Sequence, residues 1–173
     1  MKVINLFGGP GSGKSTTAAG TFFKMKASGN FGKVELVTEF AKDMVYAGRL
    51  KELKSNQLYI TAKQYHRIER LRGQVDYVIT DSPIIQGVVY TPKNYFPSFK
   101  SLQMELHNSF DNINILLNRT KEYKDYGRTQ TEEEARALDM EIRNFFRDND
   151  MTYSVINGDS TAPSSVLDIL NML

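Results

Sequence analysis

Eight consecutive residues near the start of the chain have types and a spacing suited to one kind of chemistry. Gly8-Gly9-Pro10-Gly11-Ser12-Gly13-Lys14-Ser15 fits the pattern G-x-x-x-x-G-K-[ST]. A polyphosphate needs several N–H donors converging on one concave loop, and glycines permit that backbone. The run sits between an apolar, β-branched segment (residues 3–7) and a helical one (residues 14–27). A helix N-terminus would therefore face the same anion. Gly9, Gly11, Ser12, Gly13, Lys14, Ser15 and Thr16 are the candidate phosphate contacts. Lys14 would reach the β- and γ-phosphates of a nucleoside triphosphate, and the Ser15 hydroxyl would sit on magnesium. ATP and Mg²⁺ are the expected cofactors.

Two carboxylates are placed to work with such a loop. Asp81 closes the strand-like segment VDYVITDS, where an acid helps to hold magnesium; the alternative is a capping residue before Pro83. Glu39 closes the segment LVTE. Strand ends in a twisted parallel sheet open onto one cleft, so Glu39 can accept a proton from an attacking hydroxyl. Its plainer reading is a first-turn helix residue that suits the helix dipole. The segment 119–130, RTKEYKDYGRTQ, carries Arg119, Lys121, Lys124 and Arg128 around Gly127. It reads as a short lid whose guanidinium groups neutralise charge on a transferring phosphoryl, or else as a solvated loop. Lys14, Glu39, Asp81, Arg119 and Arg128 are thus the catalytic candidates, with Ser15 and Asp81 on the metal.

These residues need a scaffold, and the rest of the sequence supplies one. Strand-like segments at 3–7, 33–38, 75–80, 113–117 and 152–156 alternate with helical ones at 14–27, 39–50, 55–72, 99–110, 131–146 and 164–173. Ser55 is the expected N-cap of the third helix, and Thr131 with Glu134 forms a capping box for the fifth. The alternation predicts an α/β fold: a five-stranded parallel sheet with helices on both faces in three layers. The chain has 173 residues and a formal net charge of +2, which suits one domain over 1–173 with the lid at about 119–130. It has no Cys and two His, which excludes disulfides and gives little basis for a zinc site. The apolar start is too short for a signal peptide, and no stretch has bilayer-spanning length. A cytoplasmic protein, in a cell or in the host of a virus, is the expectation, with no membrane partner and an oligomeric state left open.

GGPGSGKS, LVTEFAKD, ITDSP and NRTKEYKDYGRTQTEEEA together resemble the P-loop kinases of nucleosides and nucleotides, over most of the chain. The resemblance implies the P-loop NTPase fold with sheet order 2-3-1-4-5. EFAK is similar to the deoxynucleoside kinases, where that Glu is the base. The arginine-containing lid is similar to thymidylate kinases and the nicotinamide riboside kinase domain. Deoxynucleoside kinases carry Glu-Arg-Ser or Asp-Arg-Tyr at the third strand, whereas Asp81-Ser82-Pro83 has no arginine. Small kinases of this kind are frequent in bacteriophages, and some phosphorylate 5-hydroxymethyluracil within DNA. By the same resemblance the third helix borders the acceptor, with Gln64, Tyr65 and Arg67 as contacts. Tyr90, Tyr95 and Phe96 are further candidate walls. An ATPase of the AAA type places Glu after the strand-end Asp, and here Ser82 holds that place. A GTPase would need Asn-Lys-x-Asp, which the chain does not contain. A phosphotransferase acting on a nucleoside, a nucleotide or a DNA acceptor is the leading expectation. A nucleotide-dependent ATPase or switch acting through a partner is the competing one.

Overall fold

A computed structural model describes residues 1–120, 123 and 131–172. Five strands, β1 (Lys2–Phe7), β2 (Val34–Val37), β3 (Tyr77–Thr80), β4 (Asp111–Asn118) and β5 (Ser154–Asn157), form one sheet. Its order is β2-β3-β1-β4-β5 and every pair is parallel, the order that the family resemblance implies. Among the described residues seven helices accompany them: α1 (Lys14–Ser28), α2 (Phe40–Tyr46), α3 (Leu50–Ser55), α4 (Gln57–Glu69), α5 (Phe99–Asn108), α6 (Glu132–Asp148) and α7 (Ala162–Asn171). A 3-10 helix runs over Ile84–Tyr90.

The sheet's two faces follow from the two-residue period of a strand. Along β1, Ile4 and Leu6 pack with Ala18 and Met25 of α1 and with Ala162, Val166 and Leu170 of α7. The alternating residues point the other way. Val3 packs with Ile68 of α4 and with Phe110, and Phe7 packs with Ile142 and Phe146 of α6. Helices thus cover both faces, and the near-continuous apolar run of β1 is what a strand buried on both sides requires. Met44 is core, and Met104 packs against the Phe7 cluster.

Several boundaries depart from the sequence expectation. The single helix over 39–50 is two, because Gly48 takes a left-handed φ of 70° between α2 and α3. The N-cap of α4 is Asn56, whose side chain accepts from the Tyr59 N–H; Ser55 instead donates to the Lys51 carbonyl. That helix also stops at Glu69 rather than Arg72. The last helix starts at Ala162, two residues before Ser164, with proline in its first turn. The capping box at Thr131 and Glu134 forms as expected.

Candidate active site

The sheet order decides which residues meet the glycine loop. β1 is central, so the loop leaving Phe7 emerges between the ends of β3 and β4. Thr80 pairs with Asn5 on one side, and Leu116 with Phe7 on the other. Asp81 follows β3 directly, and Arg119 follows β4 directly. β2 is one strand further out, with Val37 paired to Thr80, so Glu39 opens onto the same cleft. At the far side Gly158, just beyond β5, donates to the Asn118 carbonyl at 2.9 Å. A β-carbon there would lie 2.0 Å from the Ser12 carbonyl oxygen, so the β5 turn rests directly on the loop.

Lys14 is the electrostatic centre. Its ammonium donates to the Gly8 carbonyl at 2.6 Å and to the Gly9 carbonyl at 3.1 Å. Burial pushes its pKa below the usual lysine value, while Glu39, Asp81 and Asp139 pull it back up. Burial pushes Glu39 above the ordinary carboxylate range, with Lys14 opposing. Glu39 stands at the N-cap of α2 but makes no capping bond with its side chain, so its carboxylate is not spent on the helix. Asp81 is buried, and its Oδ1 has no hydrogen-bond partner among the described residues. A buried carboxylate oxygen left unpaired is costly without a cation, so the site fits a magnesium ion. No three His, Cys, Asp or Glu cluster as a metal cage among the described residues. A metal here would take Asp81, the exposed Ser15 hydroxyl and phosphate oxygens. Thr16 is exposed beside Ser15, and Ser12 is buried under the loop.

Helix α4 does something the sequence did not announce. The Gln64 amide accepts from the Phe40 N–H at 3.0 Å and donates to Thr80 Oγ1 at 3.3 Å. The same hydroxyl accepts from the Ser82 N–H at 3.1 Å. Gln64 therefore ties the residue after Glu39 to the residues flanking Asp81. One N–H and one lone pair of its amide remain for other partners. Arg67 donates to the Thr38 carbonyl at 3.2 Å and pairs with Asp43, so it braces the same turn.

Tyr65 is a correction. One residue round the helix from Gln64, it packs against Phe110 in the cluster holding Val3 and Ile68. Phe110 precedes β4, at the sheet end opposite the loop, so Tyr65 does not reach the cleft. Tyr90 does reach it. Burial, then the field of Glu39, hold its phenol neutral well above the usual tyrosine value, and Gln86 lies beside it. Gln86 itself donates to the Gly8 carbonyl at 3.1 Å. Tyr95 and Phe96 line a separate shallow cavity of about 230 Å³ with Lys93 and Lys100.

Arg119 is the second correction. Its guanidinium is not free, because its side chain is only 5% exposed and pairs with Asp139. Its Nε and Nη2 donate to Asp139 of α6 at 3.1 and 2.9 Å, and Nη1 donates to the Pro10 carbonyl at 2.7 Å. Tyr123 lies over the guanidinium at 5.8 Å. Asp139 also accepts from the Gly9 N–H at 2.5 Å. Sequence reasoning missed Asp139 altogether. Arg128, Lys121, Lys124 and Gly127 lie outside the described residues.

The comparisons with known proteins agree on the frame. The model of a family described as an AAA domain matches residues 3–162. The chain belongs to that family. This AAA domain nevertheless carries Ser82, and not Glu, after its strand-end Asp81. Two solved structures are similar over almost their whole length. A deoxyadenosine kinase from M. mycoides, solved with the products dCMP and a flexible dCDP, shares 20% identity at a TM-score of 0.61. The alignment covers 99% of each chain. A thymidylate kinase from Ehrlichia chaffeensis shares 16% identity at a TM-score of 0.61, covering 99% of this chain and 98% of its own. At those identities the likeness shows the fold, which is that of P-loop NTPases. No curated protein matches the chain. No helix among the described residues is long and apolar enough to cross a membrane.

Proposed function

We propose that the chain is an ATP- and magnesium-dependent phosphotransferase. It would move the γ-phosphate to a nucleoside, a nucleotide or a hydroxymethylated base within DNA. The observation that carries this reading is the convergence of Glu39 and Asp81, from adjacent strand ends, on the half-buried Lys14. An ATPase of the AAA type places a Glu directly after the metal carboxylate to activate water. This AAA domain instead sets its second acid one strand away, where an acceptor can lie between.

Magnesium-ATP, when bound, would supply the phosphoryl group. Glu39 takes the proton of an acceptor hydroxyl as its oxygen attacks the γ-phosphorus, and the bond to the β-phosphate oxygen breaks to leave ADP. The raised pKa of Glu39 makes its carboxylate a stronger proton acceptor than an ordinary one. Lys14 would neutralise charge on the transferring group, and Ser15 and Asp81 would hold the magnesium ion, which would help to offset the phosphates' charge. Gly9, Gly11, Ser12, Gly13 and Thr16 line the phosphate cradle. Arg128 would add a guanidinium from the 119–130 lid during transfer. Gln64, Arg67 and Tyr90 shape the acceptor side. The structural likeness to a deoxyadenosine kinase and a thymidylate kinase supports the nucleoside and nucleotide acceptor classes. A phage DNA kinase is the narrowest form of the proposal.

The AAA match favours a second reading, a nucleotide-dependent ATPase or switch acting through a partner. Labelled ATP offered with nucleosides, monophosphates, single strands and modified duplexes separates the two. The kinase labels one acceptor class. Slow hydrolysis that no acceptor changes would establish the switch.

A further inference from the structure

A carboxylate at a triphosphate site is electrostatically the wrong sign, yet Asp139 stands beside the loop that would hold one. It accepts from the Gly9 N–H at 2.5 Å and lies within the field felt by Lys14. Arg119 answers it with two hydrogen bonds and reaches on to the Pro10 carbonyl. The pair therefore grips two successive residues at the crest of the loop, one through N–H and one through C=O. Helix α6 is pressed close enough that a β-carbon at Gly9 would lie 2.5 Å from the Ala135 carbonyl oxygen. Arg119 directly follows β4, and Asp139 lies two turns into α6.

We infer that Arg119 and Asp139 are a positioning pair for the nucleotide's phosphates. Asp139 fixes the Gly9–Pro10 crest from α6, and Arg119 cancels the charge that would otherwise repel the polyphosphate. Arg119 thus acts through Asp139 and the loop, and is not itself the group that grips the transferring phosphoryl. The inference rests on the ATP-binding part of the reading above and is independent of the acceptor.

The test is ATP binding with magnesium, measured by calorimetry on the full chain and its variants. Arg119→Met leaves a bare carboxylate at the loop and should weaken ATP binding at least about tenfold. Asp139→Asn keeps an oxygen for the Gly9 N–H and removes the charge, so affinity should hold or tighten. The double variant should return to within about threefold of wild type. Raising salt should narrow the gap between Arg119→Met and wild type, because repulsion is screened and a misplaced backbone is not. A double variant no better than Arg119→Met would overturn the inference and make Arg119 a direct phosphate ligand. So would an Arg119→Met protein that binds ATP as well as wild type. If Arg119→Met does not fold, Asp139→Asn decides alone: unchanged or tighter binding supports the pairing, and weakening overturns it. Wild-type protein that binds no ATP would remove the underlying reading, and the inference with it.

Discussion

The two walls of the phosphate loop are built to opposite rules. On the β4–α6 wall the charges that the described residues place beside the loop are matched: Arg119 meets Asp139, and both meet backbone. On the β2–β3 wall Glu39 is half-buried and makes no capping bond, and the buried Asp81 keeps an oxygen with no partner among the described residues. Neutral amides and hydroxyls, Gln64 and Thr80, hold that wall's backbone in place, leaving the acids unspent. Polar groups with all bonds satisfied fix geometry; buried groups left short of partners mark where a ligand completes them. On the proposed reading, that difference gives the chemistry to the Glu39–Asp81 wall and the loop's shape to the Arg119 wall.

The strongest way to break this division is to remove the group common to both walls. Lys14→Ala should lower kcat/KM for phosphoryl transfer at least about 10³-fold with the fold intact, because it deletes the charge facing the transferring group. Steady-state kinetics and circular dichroism together check it. A folded variant with wild-type turnover would abolish the proposed centre. Next comes Glu39→Gln, expected to cut kcat about 10²-fold for a hydroxyl acceptor with ATP affinity nearly unchanged. A base works only when deprotonated, so wild-type kcat should fall as pH drops through the raised Glu39 pKa, and the variant should lose that limb. If the best acceptor is a monophosphate, no proton need be removed, and a silent variant would assign the chain to nucleotide kinases. Asp81→Asn is milder: half-maximal activity should need about tenfold more magnesium, with kcat largely recovered at saturation. An unchanged magnesium titration would move Asp81 out of the metal shell.

The division between walls was only half legible beforehand. The loop was readable because its glycines and Lys14 are contiguous, and the sheet because buried strands are apolar on both faces. Thr131 and Glu134 announced their capping box in sequence. What failed was phase and distance. Gln64 and Tyr65 differ by one residue, about 100° on a helix, and nothing local says which faces the cleft. Ser55 and Asn56 are both good caps, and their backbone decided between them. The apolar run 84–90 is too short and too aperiodic to reveal a 3-10 helix. Asp139 sits in ALDMEIRNFF, where it passes for a solvated helix charge. Its partners, Gly9 and Arg119, lie 130 and 20 residues away. The one signal was Arg119 standing directly after a buried strand, where a cation needs an acid.

The smallest expected effect is on stability, and it sharpens the comparison because the two walls should differ in sign. Burial raises the pKa of Glu39, so the fold prefers its protonated form, even with Lys14 opposing. Such a group contributes stability below its unfolded pKa and loses that contribution as pH rises through the folded one. Near neutrality the ionised Glu39 therefore costs stability. Glu39→Gln keeps the shape without the charge, and should raise Tm at pH 7 by about 2–4 °C. At pH 4 the two proteins should melt nearly together. Asp139→Asn on the opposite wall removes one half of a nearly buried ion pair and leaves Arg119 without its counter-charge, so it should lower Tm at pH 7. Calorimetric melts of both variants from pH 4 to 8 decide the matter. If Glu39→Gln lowers Tm while Asp139→Asn raises it, the strained acid is on the α6 wall and the assignment of chemistry to β2–β3 fails.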